Sequence, residues 1–184
     1  NKHHLKSLIK DITVWKRGTQ RAPHKPLLLL YALACSLRNK DRFIPYTEID
    51  KKLKQLLLDF GPSRKSYHPE YPFWRLQNDG IWELKDAENV RIISSGDPRR
   101  GDLIAQNVSG GFIKDIFHMV TAHPEITTEL ATSILEANFP ASIHEDILQA
   151  VGLDLEFKTL EKRKRDPYFR DRIIRAYEYQ CAVC

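Results

Sequence analysis

Cysteine chemistry is concentrated at the end of the chain. Cys181-Ala182-Val183-Cys184 holds two thiols three positions apart. At that spacing a tight turn can present both thiolates to one Zn²⁺ and leave two tetrahedral positions for other ligands. Taken alone, the pair also reads as free thiols. Cys35 lies in the apolar run Leu27 to Cys35 and reads as a small core hydrophobe. His3, His4, His118, His123 and His144 are scattered, with no carboxylate at metal-ligand spacing, and read as surface or core residues. Tyr71-Pro72 follows a stretch rich in Ser, Arg, Lys and His. By itself it reads as a loop end, with Tyr71 packed on the core. His24 alone would be a helix cap and Lys25 plain surface.

The 184 residues are 42% hydrophobic and 29% charged, which suits one sizeable globular domain with a short appendage and excludes a disordered chain. Leu27 to Cys35 is too short to span a bilayer, and three cysteines make no disulfide framework. Both facts point to a reducing cytoplasm and no membrane. The net charge of +5 only hints at a polyanionic partner. Its distribution says more. Thr121 to Phe157 contains no Lys or Arg but holds Glu125, Glu129, Glu136, Glu145, Asp146, Asp154 and Glu156, a charge of −7. The remainder has 29 basic against 17 acidic residues, or +12. Such polarity suits a polyanion-binding protein whose acidic lobe faces away, although chance segregation on solvated helix faces produces the same pattern.

The elements that must position these residues are mostly helical. Leu5, Leu8, Ile9, Ile12 and Trp15 recur at helical spacing and stop at Gly18. Pro26 to Leu37 is apolar nearly all round, which marks a central core helix with Pro26 in its first turn. Arg42 to Ile44 reads as a short strand, and Thr47 as the N-cap of a helix carrying Ile49, Leu53, Leu56, Leu57 and Phe60, stopped by Gly61. Three prolines and a glycine make residues 61–72 a loop. Phe73 to Gln77 and Ile81 to Lys85 flank Asn78-Asp79-Gly80 and predict a hairpin, with Trp74 and Trp82 as a cross-strand pair. Val90 to Ile93 reads as a strand and Ser94 to Asp102 as a polar loop. Helices are expected at 112–121, 125–138 and 142–151, the last opened by a Ser142/Glu145 capping box. The basic linker Lys162-Arg163-Lys164-Arg165 then leads to Asp166-Pro167, an N-cap and first-turn proline for a final helix.

Two stretches resemble known families. Phe169-Arg170, Ile173-Ile174, Ala176-Tyr177 and Cys181-Ala182-Val183-Cys184 resemble the opening of HNH endonucleases whose metal core is braced by zinc. That resemblance implies half of a structural zinc site at Cys181 and Cys184 and a catalytic divalent metal in an intact HNH domain. The catalytic His and Asn and the second cysteine pair would follow Cys184, so these 184 residues are expected to be inactive as a nuclease. Upstream, Ala22-Pro23-His24-Lys25-Pro26-Leu27-Leu28-Leu29-Leu30 and His68 to Gly80 (HPEYPFWRLQNDG) resemble the sulfur-binding domain of type IV, McrA-like restriction endonucleases. Ser95-Gly96-Asp97-Pro98 and Gly110-Gly111-Phe112 extend the match.

This second resemblance implies recognition of phosphorothioate DNA, in which sulfur replaces a non-bridging phosphate oxygen, ahead of an HNH domain that cuts nearby. It implies His24 and Lys25 as DNA contacts and Tyr71 and Pro72 as walls of the sulfur pocket, with Arg75, Ser95, Gly96 and Asp97 as further contacts. The chemistry is coherent. An oxygen buried unpaired against apolar atoms costs roughly 2–7 kcal/mol. Sulfur is larger, more polarizable and more weakly hydrated, so a pocket of proline ring and tyrosine face penalises it less. Discrimination then comes from what the pocket withholds, while Lys and Arg attract phosphate.

The expected architecture is an α+β domain, mostly helical with a small antiparallel sheet. Residues 1–157 are assigned to DNA binding, and 158–184 to a basic linker and the first helix of an HNH domain. The implied partner is double-stranded DNA, preferably phosphorothioated, with a homodimer left open. The DNA-binding part itself needs no cofactor. Two rival readings remain: a winged-helix-like binder of unmodified DNA, from helix 48–58 followed by the 73–85 hairpin, and a protein-interaction module built on acidic helices 112–151.

Overall fold

In the computed structural model, residues 16–17, 20–38 and 41–155 are described. The expected helix from Leu5 to Trp15, the final helix after Pro167, and Cys181 with Cys184 lie outside them. Chain contacts divide the protein into a unit of Asn1–Asp154 and a unit of Leu155–Cys184.

The leucine run becomes the middle of α1 (His24–Arg38), in which every residue from Pro26 to Ser36 is buried. Pro26 stands in the first turn, where its missing N–H has no partner to lose, and Leu27 N–H bonds Pro23 O at 3.0 Å. Ahead of α1, two short strands, β1 (Lys16–Arg17) and β2 (Gln20–Arg21), pair antiparallel. Around α1 pack α2 (Tyr46–Phe60), α3 (Glu70–Arg75), α5 (Lys114–Ala122), α6 (Pro124–Asn138) and α7 (His144–Val151). The amphipathic faces do what their periodicity predicts: Ile49, Leu53, Leu56 and Leu57 of α2, and Ile126, Leu130, Ile134 and Leu135 of α6, are buried. A three-stranded antiparallel sheet, ordered β3 (Ile44–Pro45), β5 (Ser109–Phe112), β4 (Trp82–Lys85), completes an α+β fold together with α4 (Arg100–Ala105).

The main departure from expectation is at residues 70–80. Phe73 to Gln77 is helical, not a strand: α3 continues into a 3-10 turn at Leu76–Asp79. Prolines do not forbid helix here, because Pro69 is the N-cap and Pro72 lies in the first turn, where no intrahelical N–H is needed. Gly80 then stops the segment with φ 70°, its N–H bonded to Gln77 O. A left-handed glycine serves a helix stop as well as a hairpin turn, so Asn78-Asp79-Gly80 is an ambiguous signal. With the hairpin goes the winged-helix layout. Trp74 and Trp82 are not a cross-strand pair either. Trp82 packs edge-on to Phe73 and Phe112, with centroids 6.3 and 5.8 Å apart.

The partner strand of β4 is β5, whose Ser109-Gly110-Gly111-Phe112 sequence is a poor strand former. The glycines are required by close approach rather than by propensity: a Cβ on Gly111 would lie 1.7 Å from Arg42 O, and one on Gly110 would lie 2.7 Å from the Phe73 and Trp82 rings.

Smaller corrections have local causes. Val90 to Ile93 forms only an isolated bridge, Ile92 with Pro98, and the polar loop is cut short by α4 at Arg100. The first strand of the sheet is Ile44–Pro45, and α5 begins at Lys114, because residues 109–112 are taken by the sheet. Neither Thr47 nor Ser142 caps a helix: Pro45 and Ile143 occupy the N-cap positions, with no side-chain cap. A 3-10 turn at Ala141–Ile143 displaces the start of α7 past the capping box. Gly61 does close α2, its N–H bonded to Leu57 O at 2.9 Å.

Candidate nucleic-acid interface

Helix α3 gathers most of the residues singled out by sequence. Tyr71 is half-buried in its first turn, and Pro72 is buried beside it. One helical turn later comes Arg75, whose guanidinium carbon lies 5.3 Å from the Tyr71 ring centroid. Arg75 in turn grips Asp97, with Nε and Nη2 donating to the two carboxylate oxygens at 2.7 and 2.8 Å.

Asp97 is delivered by a tight turn. Gly96 takes φ 80° and its N–H bonds Ile93 O, while Ile93 N–H bonds Asp97 O, both at 2.9 Å. The Ser95 hydroxyl also donates to Asp97, at 2.8 Å. The carboxylate is 3% exposed and Arg75 51%, so the acid is interior and the guanidinium faces outward. Tyr71, Arg75, Ser95, Gly96 and Asp97 are thus one connected group, and Asp97 serves it through Arg75.

His24 and Lys25 open α1, which packs against α3. Burial, helped by the nearby Arg64 guanidinium, pushes the His24 imidazole down to about 4. His24 is therefore neutral at physiological pH and can offer hydrogen bonds but not charge. Lys25 is committed within the fold: its Nζ lies 2.5 Å from Asp79 Oδ2, with the side chains 13% and 8% exposed. This pair ties the start of α1 to the 3-10 turn behind α3.

Other residues of the cluster were not evident from sequence. The His68 ring stacks on Tyr71, with centroids 4.8 Å apart and planes 9° from parallel. Its Nδ1 donates to buried Glu70 at 2.9 Å, and its Nε2 is 3.1 Å from Ser66 Oγ. Arg64 reveals itself through its effect on His24. Beneath them, Asp50 accepts from Arg100, Lys54 and Tyr46. His68 and Glu70 do fall within the HPEYPFWRLQNDG stretch that carries the family resemblance, but the sequence does not show that His68 stacks on Tyr71.

Chemically, the arrangement is an aromatic ring and a buried proline, edged by cations whose donors are partly committed to internal carboxylates. Such a surface can attract a polyanion while presenting an apolar wall at one point. Among the described residues no cluster of three or more His, Cys, Asp or Glu could hold a metal, and no helix is long and apolar enough to cross a membrane.

Comparison with known proteins bears on the fold and the family. A domain of a solved complex, the sulfur binding domain of ScoMcrA with phosphorothioated DNA, superposes with a TM-score of 0.70 at 24% identity, covering 80% of this chain and 94% of that one. The corresponding SprMcrA domain, also complexed with phosphorothioated DNA, gives 0.69 at 16% identity, with 83% and 94% covered. In the type IV phosphorothioation-dependent restriction endonuclease ScoMcrA the match covers 79% of this chain but only 32% of that one, with a TM-score of 0.67 at 24% identity. At such identities the structures establish the fold. No curated protein matches the sequence. The model of the ScoMcrA-like DNA sulfur-binding domain matches residues 2–156, and the chain belongs to that family.

Proposed function

We propose that this chain recognises phosphorothioated DNA, seating the sulfur against Tyr71 and Pro72 while the surrounding cations meet neighbouring phosphates. Family membership supports the ligand class. The observation that carries the mechanism is the bidentate Arg75–Asp97 pair beside Tyr71. With two of its five N–H donors held by Asp97, the Arg75 guanidinium is fixed in orientation at the edge of the Tyr71 and Pro72 wall and keeps its other donors for a neighbouring phosphate. A phosphate oxygen brought against this wall would lose its water and find little in return, whereas sulfur has less hydration to lose. His24 adds neutral hydrogen bonding, and Lys25 a charge largely offset by Asp79. Ser95 and Gly96, exposed at the tip of their turn, would approach the backbone of the duplex in this reading.

In the same reading, residues 1–157 bind DNA and 158–184 begin an HNH nuclease that the domain brings to modified sites. Cys181 and Cys184 would supply two thiolates to a structural zinc, a donor pair that fits half of a tetrahedral site. The test is a titration of matched phosphorothioate and plain duplexes at fixed salt. Sulfur-selective binding is expected. Equal binding would make the domain an ordinary DNA reader, and no binding would redirect attention to a protein partner; either outcome overturns the proposal.

A further inference from the structure

The sulfur wall can discriminate only if Tyr71 keeps one orientation. A half-buried tyrosine on a short helix has rotamer freedom, and a ring free to swing would admit water to the oxygen-bearing linkage. The His68 stack on Tyr71 covers one face of the ring. Offset or parallel stacking of this kind stabilises a ring pair beyond simple burial.

His68 is itself held at both nitrogens. Glu70 is buried and its carboxylate can only accept, so Nδ1 carries the proton at the 2.9 Å contact, and Nε2 meets Ser66 at 3.1 Å. The other oxygen of Glu70 lies 3.5 Å from Tyr46 Oη. Tyr46 has a single hydroxyl proton, closer to Asp50 at 3.1 Å, and burial together with the charges of Glu70 and Asp50 raises this phenol above its ordinary range. Asp50 is in turn satisfied by Arg100 and Lys54. The near partner of Glu70 among the described residues is therefore His68, and the buried acid acts as a bracket for that ring.

Resting on the sulfur-pocket reading above, we infer that His68 is a positioning residue for sulfur discrimination: its ring, stacked face to face on Tyr71, locks that ring as a rigid wall. It acts through Tyr71, not by contributing charge to phosphate. The prediction is specific, because loss of the stack should lower the preference for sulfur over oxygen while leaving affinity for the plain duplex nearly unchanged.

The experiment compares two double variants of the full chain, each of which also removes the buried carboxylate so that no acid is stranded. His68→Phe/Glu70→Met restores an aromatic stack without hydrogen bonds. His68→Ala/Glu70→Met removes the ring. Both are measured on phosphorothioate and plain duplexes after circular dichroism confirms folding. The Phe variant should keep the sulfur-to-oxygen affinity ratio within about twofold of the parent, and the Ala variant should lose about 5–10-fold. If both keep the parental ratio, or both lose it equally, the stack does not set discrimination. If both weaken the two duplexes alike, His68 is a phosphate contact instead. The parent chain and Pro72→Ala serve as references. An unselective parent defeats the sulfur reading itself, whereas a selective parent sensitive at Pro72 but indifferent at His68 defeats only this inference.

Discussion

Arg75 and Asp97, 22 residues apart in the chain, form a two-point ion pair with an interior acid and an outward-facing guanidinium. The asymmetry of exposure makes the two halves unequal. Removing Arg75 leaves a buried carboxylate with Ser95 as its remaining side-chain donor among the described residues, while removing Asp97 leaves a cation already half in water. Arg75→Ala should cost about 2–3 kcal/mol of stability, and Asp97→Ala roughly 1 kcal/mol, offset by the water that Arg75 regains. Urea unfolding of both variants checks this; equal losses would mean that the pair is not solvated as the structure places it.

Pro72 lies in the first turn of α3, where alanine preserves the helix. Pro72→Ala therefore removes ring atoms without disturbing the backbone. Sulfur selectivity should fall by on the order of 1–3 kcal/mol, the scale for an ill-fitting apolar contact, with little change on plain DNA. Competition binding between the two duplexes reads this directly, and an unchanged ratio places the sulfur elsewhere.

The Lys25–Asp79 pair holds a cation back from solution. Asp79→Asn keeps the shape and frees the charge. Affinity for sulfur-bearing and plain duplexes should rise together, by roughly 3–10-fold at moderate salt, and the slope of log affinity against log salt should steepen by about one. A change confined to one duplex, or an unchanged slope, would show that Lys25 does not reach phosphate.

His24 makes stability depend on pH. Its folded value of about 4 lies below the ordinary 6.5, so the unfolded chain takes up the proton first. The contribution is fully present above about pH 6.5 and is lost as pH falls towards 4, by up to about 3 kcal/mol. His24→Gln should flatten the difference between unfolding curves at pH 7 and pH 5. Parallel loss in parent and variant would assign the pH dependence to other groups.

Much of this protein was written locally. The all-apolar run of α1, the one-sided stripe of α2 and the helical faces of α6 and α7 are encoded within single segments, because helical periodicity and burial share one period. The segments His24–Lys25 and Tyr71–Pro72 likewise carried the family resemblance in their own residues. The tertiary structure decided what those segments meet. Residues 70–79 are helical because two prolines happen to fall where a helix start needs no N–H, and Gly80 suits a helix stop as well as a turn. Gly110 and Gly111 form a strand because neighbouring rings and Arg42 O leave no space for a side chain. The partnerships of Arg75 with Asp97 and Lys25 with Asp79 follow from how the segments come together. No periodicity records such pairings: a charged side chain carries its sign in the sequence, but which opposite charge it reaches depends on distances that exist only after the core has packed.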